Sequence, residues 1–343
     1  MKKLLNTLFV TSPNSRLSRE SESVVVKEDS KVKLRVPVHH LSGIVCFGTM
    51  TVTTPFLSFC SCNGVSVTFL SRTGRFLASL GGSVSGNVLL RKQQYRVSDD
   101  PSQSAAVARS IVSAKIANCR TDLMRVQRDH PDKVDSNALS RAQGRLAGCA
   151  EALKAATSLD RIRGLEGASA SAYFSVFGER ILDRTEGLSF NGRSKHPPLD
   201  EVNAMLSFTY VILMHDIRSA LEGVGLDPSV GFLHRDRSGR YGLALDLMEE
   251  FRPFVADRVV LSLINLGQAK RDAFVIHDDG AVTLRDDLRK ALLVAYHRRK
   301  QEEVVHPFLG EKVQVGLLFH CQALLLTRYL RGELDSYPAF LHK

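Results

Sequence analysis

Two stretches of the sequence hold side chains whose types and spacing could do chemistry. Residues 231–253 read GFLHRDRSGRYGLALDLMEEFRP. His234 closes a short apolar run, a charged turn follows, and a helix-like segment then carries Asp246, Glu249 and Glu250. Upstream, residues 161–178 read RIRGLEGASASAYFSVFG and hold a single carboxylate, Glu166. It falls at the edge of an apolar helical stripe of Ile162, Leu165, Ala172, Tyr173 and Val176. A carboxylate in such a place must be paired, protonated or bound to a metal, because burying an isolated charge is expensive. Arg161 and Arg163 offer a local salt bridge, and a metal is the competing reading. Gly164 and Gly167 flank Glu166, and small residues there let another backbone or a ligand come close.

From Leu243 onward, Leu243, Leu247, Met248, Phe251, Phe254 and Val255 share one helical face. Asp246 and Glu249, three apart, share the opposite face with Glu250 beside them. By pattern alone that is a solvated face. Two details point the other way. Three acids so close together in a basic chain make a local cation site, and Pro253 deprives the Glu249 carbonyl of its backbone partner, so the helix must kink or restart. His234 alone reads as a satisfied core histidine. Glu166, His234 and Glu249 together offer two carboxylates and an imidazole on separate elements. Oxygen donors suit Mg²⁺ or Mn²⁺, and the imidazole tilts the set towards Mn²⁺.

The elements that must position these groups follow from composition and period. A length of 343 residues with 44% hydrophobic and 24% charged residues is that of a globular chain of two domains. Its first ~95 residues hold short β-branched runs at 24–26, 31–36, 43–47, 65–70 and 75–78, divided by Ser, Gly, Asn and Pro. Residues 72–75 read as a hairpin turn, and 55–62 as a short helix. From Asp100 the period becomes helical, with helices expected over 105–127, 138–156, 160–182, 200–221, 243–266 (interrupted by Pro253), 284–300 and 312–331. The expectation is an α+β chain: a small β-sandwich-like domain, 1–95, then a larger all-α domain, 96–343, joined by a linker near 91–101.

Net charge is +10 and the pI about 9.4, an excess that favours polyanions, nucleic acid first. No apolar run approaches the ~20 residues of a membrane span. The start, MKKLLNTLFV, reads as a first strand rather than a signal peptide, which points to the cytoplasm. The six cysteines are scattered and read as small buried thiols.

The series GLEGASASAYF and then GLDPSVGFLHRDRSGRYGLALDLMEEFRP resembles the CRISPR-associated adaptation integrases, the Cas-one family. The opening MKKLLNTLFVTSP with GIVCFG, VSVTFLSRTGRFLA and GNVLLRKQQYR is similar to its subtype I-C branch. The resemblance implies a metal-dependent DNA endonuclease and integrase that inserts prespacer DNA into the CRISPR repeat next to its leader. It also implies a homodimer formed largely through the N-terminal domain, assembled with a small Cas-two family protein and open to a Cas-four family nuclease, with no membrane partner. In that family the site is a glutamate, a histidine and a third acid. The matching positions are Glu166, His234 and Glu249, with Asp246 as a supporting acid and Mg²⁺ or Mn²⁺ as cofactor; whether Glu249 or Asp246 makes the direct bond stays open. Arg235, Arg237, Arg240, Arg252, Lys270, Arg271, Arg298 and Arg299 are the candidate DNA contacts. Tyr173 and Tyr241 are placed equally well against DNA or in the core. Two other functions compete: a non-catalytic basic DNA-binding scaffold, and a metal-dependent hydrolase of a small phosphorylated substrate.

Overall fold

The structure is a computed structural model that describes residues 6–12, 14–71, 76–80, 88–183, 186–188 and 190–342. It divides into two compact units, Met1–Gly86 and Asn87–Lys343. In the first unit the β-branched runs form β1 (Asn6–Val10), β2 (Arg16–Glu20), β3 (Ser23–Glu28), β4 (Lys31–Pro37), β5 (Leu41–Phe47), β6 (Thr51–Val52), β7 (Ser66–Leu70) and β8 (Phe76–Leu80). Helix α1 (Thr54–Cys62) of that unit is capped by Thr53 and carries Pro55 in its first turn. Two four-stranded sheets result. In the order β1-β5-β7-β8 the first three strands run parallel and β8 returns antiparallel. The other, β4-β3-β2-β6, is an antiparallel meander closed by a parallel β2–β6 pair. Leu17 and Val24 from one sheet, Ile44 and Val67 from the other, and Phe56 and Cys60 from α1 bury into one core. The turn expected at 72–75 lies outside the described residues.

The second unit is helical: α2 (Val88–Asp99), α3 (Pro101–Asp129), α4 (Ser136–Lys154), α5 (Leu159–Phe174), α6 (Glu201–Val224), α7 (Gly242–Met248), α8 (Arg258–Asn265), α9 (Asp286–Gln301) and α10 (Val315–Leu330). It also carries two antiparallel strand pairs, β9 (Phe274–Ile276) with β10 (Val282–Leu284), and β11 (Glu303–Val305) with β12 (Lys312–Gln314). Side-chain caps set the helix starts: Asp100 accepts from Ser102 N and Gln103 N, Asp135 from Asn137 N and Ala138 N, and Asp200 from Asn203 N. Gly225, at φ +89°, ends α6 in the left-handed conformation that glycine adopts without strain.

Several local expectations change: the helix expected over 160–182 ends at Phe174, and the domain expected to be all-α carries the two strand pairs. Most of the segment expected as a linker, 91–101, is helix α2, because Gln94, Tyr95 and Ser98 hydrogen-bond the chain between α6 and α7 and so fix it in register. The interruption at Pro253 is a single wide turn, Arg252–Asp257, that separates α7 from α8. The cysteines are unpaired, with Cys46, Cys60 and Cys119 buried. Among the described residues no helix is long and apolar enough to cross a membrane.

Candidate active site

His234 reaches its place on a segment tied down from several helices. Gln94 of α2 donates to the carbonyls of Asp227 (2.7 Å) and Val230 (2.8 Å), and Ser98 to that of Gly231 (2.7 Å). Ser104 of α3 donates to Phe232 O, and Arg163 of α5 to Leu233 O at 2.6 Å. From α7, Asp246 completes the hold. Its Oδ2 accepts the backbone N–H of Phe232 (2.6 Å) and Leu233 (2.9 Å), and its Oδ1 that of His234 (2.9 Å). The same Oδ1 lies 2.6 Å from His234 Nδ1. A carboxylate so occupied has little capacity left for a metal, and the imidazole it fixes keeps Nε2 as its free ligating nitrogen. The approach needs glycine at 231, where a Cβ would stand 2.7 Å from Asp246 Oδ2 and 2.7 Å from the Gly242 carbonyl carbon.

The acid face expected in solvent is buried: Asp246, Glu249 and Glu250 are each 2% exposed or less. The wheel misled because α7 is short and packs between α6 and α3, so both of its faces are covered. Glu250 faces away from Glu249 towards the C-terminal segment, where Tyr337, Gln322 and the Phe340 N–H donate to it. Glu249 turns towards Lys115 of α3, with Oε2 2.7 Å from Lys115 Nζ, and its Oε1 lies 3.1 Å from Arg252. Lys115 also donates to Glu166 Oε1 on α5. Glu166 is therefore paired, though not with Arg161 or Arg163; Arg163 is engaged with Asp160 and the Leu233 carbonyl. Burial works against the charge on Glu249, but Arg252 and Lys115, with His234 beyond them, hold its carboxyl below the ordinary range. Burial likewise opposes the Lys115 ammonium, and Glu249 and Glu166 outweigh it and raise its pKa. Gly164 and Gly167 face open space, with no backbone against them.

Basic groups gather beside these acids. Arg252 lies 4.8 Å from the Tyr210 ring centroid and Arg193 5.3 Å from the same centroid. Arg193 is anchored to Asn203 (2.7 Å) and Ser207 (3.2 Å) of α6. The Nε atoms of both arginines are buried with no hydrogen-bond partner. Lys195 is held below its ordinary pKa by burial first, and then by Arg252, Arg193 and Lys115.

Of the other basic residues singled out in the sequence, Arg235, Arg237, Lys270, Arg271 and Arg298 are exposed, and Arg240 is partly so. Arg235 reaches Asp160 at 3.0 Å. Two candidates are already engaged within the protein. Arg299 is 4% exposed and donates to the Phe254 carbonyl, and Arg252 is engaged with Glu249. Tyr173 is core, its hydroxyl donating to Asp257 at 2.7 Å, while Tyr241 stacks under Arg218.

Sequence reasoning missed Lys115, Arg193 and Lys195. The available signal for Lys115 was a lone cation on the buried stripe of α3, among Ile111, Val112, Ala114 and Cys119. The donor chemistry fits a divalent cation. Two carboxylates already share one positive group, and Glu249 Oε2 is buried with an ion pair but no aligned hydrogen-bond donor. The spacing does not yet form a cage, however: among the described residues no three His, Cys, Asp or Glu side chains stand close enough together to hold a metal.

A family profile described as CRISPR associated protein Cas1 matches residues 8–298. The CRISPR-associated endonuclease Cas1 1 of Chlorobaculum tepidum is 54% identical over 341 residues, covering 99% of either chain. The CRISPR-associated endonuclease Cas1 2 of Rhodospirillum rubrum is 45% identical over all of both. A Cas4/Cas1 fusion from Geobacter sulfurreducens is 37% identical over 97% of this chain and 60% of its own length. Among solved structures, a casposase bound to integration product superposes with TM-score 0.84 at 20% identity, over 99% of this chain and 95% of that one. A chain of a Cas6-RT-Cas1–Cas2 complex does so with TM-score 0.84 at 22% identity, over all of this chain and 37% of that one. At those identities the superpositions establish the fold.

Proposed function

The chain belongs to the Cas1 family, and on that premise we propose that it is a metal-dependent DNA endonuclease and integrase of CRISPR adaptation. It inserts prespacer DNA into the CRISPR array by attack of a 3′-OH on a phosphodiester of the repeat. The observation that carries this reading is the convergence of Glu166 and Glu249, from separate helical segments, on one ammonium.

Glu166, Glu249 and His234 through Nε2 are the residues that would hold Mg²⁺ or Mn²⁺. When bound, the ion polarises a phosphoryl oxygen and neutralises charge that develops in the transition state. The chain's own residues do the rest. Asp246 fixes the His234 ring and serves as a positioning acid rather than the third ligand, since its oxygens already accept several N–H groups. Arg193, Lys195 and Arg252 place positive charge where a phosphate would lie. The open space over Gly164 and Gly167 lets a DNA backbone approach α5.

The subtype I-C assignment rests on the N-terminal motifs. A cytoplasmic setting, a homodimer and partnership with a Cas-two family protein and a Cas-four family nuclease belong to the same reading. The neighbouring complex named for Cas1 and Cas2 and the Cas4/Cas1 fusion support the last two.

The test is strand transfer into a repeat-containing plasmid with the Cas-two partner, in Mg²⁺ or Mn²⁺ and in EDTA. Transfer that requires metal and disappears in Glu166→Gln and His234→Ala supports the proposal; transfer surviving in either variant overturns it. The non-catalytic DNA-binding scaffold has one observation in its favour, that Lys115 already neutralises the acids. It predicts salt-sensitive DNA binding with no transfer under any of these conditions.

A further inference from the structure

Lys115 has no role in the chemistry described so far, yet it pairs with both candidate carboxylates. Its side chain is 6% exposed, on a helix face lined by Ile111, Val112 and Cys119, so its stem is enclosed and its ammonium opens only towards the carboxylates. Glu249 has a second cation in Arg252, whereas the ion pair of Glu166 is with Lys115. We propose that Lys115 is an internal counter-cation: its ammonium holds Glu166 and Glu249 together in the metal-free protein, and a divalent cation must displace it from those oxygens to bind. This rests on the metal-site reading above and deepens it.

The argument is one of charge and space. Two carboxylates facing Lys115 and Arg252 are already neutral as a group. Adding a dication leaves two positive charges in excess in a buried place, which is strongly unfavourable unless a cation leaves or an anion arrives. Arg252 is held over Tyr210 as well as by Glu249, while Lys115 is a point charge whose ion pairs are with the two carboxylates, so it is the cation that gives way when they turn to a metal. Metal binding is therefore weak in the DNA-free protein and is strengthened by phosphate oxygens, which supply the missing negative charge. Binding of metal and DNA then reinforce one another. The same displacement explains how a site whose ligands are not yet caged keeps its acids charged and folded without metal.

The experiment is a Mn²⁺ titration of the DNA-free full chain, following the free ion by electron paramagnetic resonance, with melting temperature measured in EDTA and in Mn²⁺. Lys115→Met is expected to bind Mn²⁺ about ten-fold or more tightly than the native chain. It should melt lower in EDTA, and gain more on adding Mn²⁺. Lys115→Arg should stay near native. Lys115→Gln, checked for fold by circular dichroism, replaces the methionine variant if that fails to fold. Equal or weaker Mn²⁺ binding by the neutral variant, still dependent on Glu166 and Glu249, overturns the role of Lys115 and leaves the metal site standing. Mn²⁺ binding indifferent to Glu166→Gln and Glu249→Gln in every background overturns the site itself.

Discussion

His234 Nδ1 and Asp246 Oδ1 stand 2.6 Å apart, and the aspartate that orients the ring also accepts the backbone N–H of the histidine itself. One buried carboxylate thus sets both where His234 sits and which nitrogen it presents. Asp246→Asn puts an amide N–H among backbone donors, and should lower stability by about 2–4 kcal/mol along with strand transfer. Glu166→Gln, at a half-open site, should abolish transfer while unfolding near the native urea midpoint. If Asp246→Asn unfolds like the native chain, its structural role here is wrong.

Gly231→Ala is expected to destabilise by about 1–3 kcal/mol and to reduce activity, because the new methyl meets Asp246 Oδ2 and the Gly242 backbone. Gly164→Ala, where a Cβ meets nothing within 4 Å, is the matched control. Thermal melts of the two variants decide it, and equal melting temperatures would refute the close-approach argument.

Two buried groups give stability opposite pH slopes. Burial, then Arg218, hold His215 down to about 4, so its protonation favours the unfolded chain. Its contribution is full above ~6.5 and is lost as pH falls from there to 4, by up to about 3 kcal/mol. Burial pushes Glu250 up to about 7 against its hydrogen bonds, so its contribution is full below ~4.5 and is lost as pH rises towards 7. His215→Leu should therefore flatten the acid side of a melting-temperature profile, and Glu250→Gln the fall in melting temperature as pH rises towards neutrality. Variant profiles parallel to the native one would disprove the assignments.

Arg193→Ala and Lys195→Ala should weaken DNA binding on any sequence. Each should reduce the slope of log affinity against log salt by about 1. Arg299→Ala should leave that slope alone and act on stability, since its guanidinium holds the Phe254 carbonyl. A lower slope for Arg299→Ala than for Arg193→Ala would reverse this ranking.

Much of the fold was legible because the signals are local. β-Branched runs mark most of the strands, and the change to a helical period from Asp100 places the helix starts within a few residues of where the structure has them. Helix α2 was not legible, because what orders it is hydrogen bonding by Gln94 and Ser98 to carbonyls far along the chain.

By itself the sequence determined the two-part α+β order, the break at Pro253, the isolation of Glu166 among apolar and small residues, and a resemblance that named Glu166, His234 and Glu249. Tertiary structure decided the rest. It buried an acid face that a helix wheel leaves in solvent, since a wheel describes one helix and not the helices packed over both its sides. It bound Asp246 to the backbone that carries His234, and it brought Lys115 between two carboxylates on separate elements. Which cation neutralises a buried acid depends on three-dimensional distance, and sequence separation carries no trace of it.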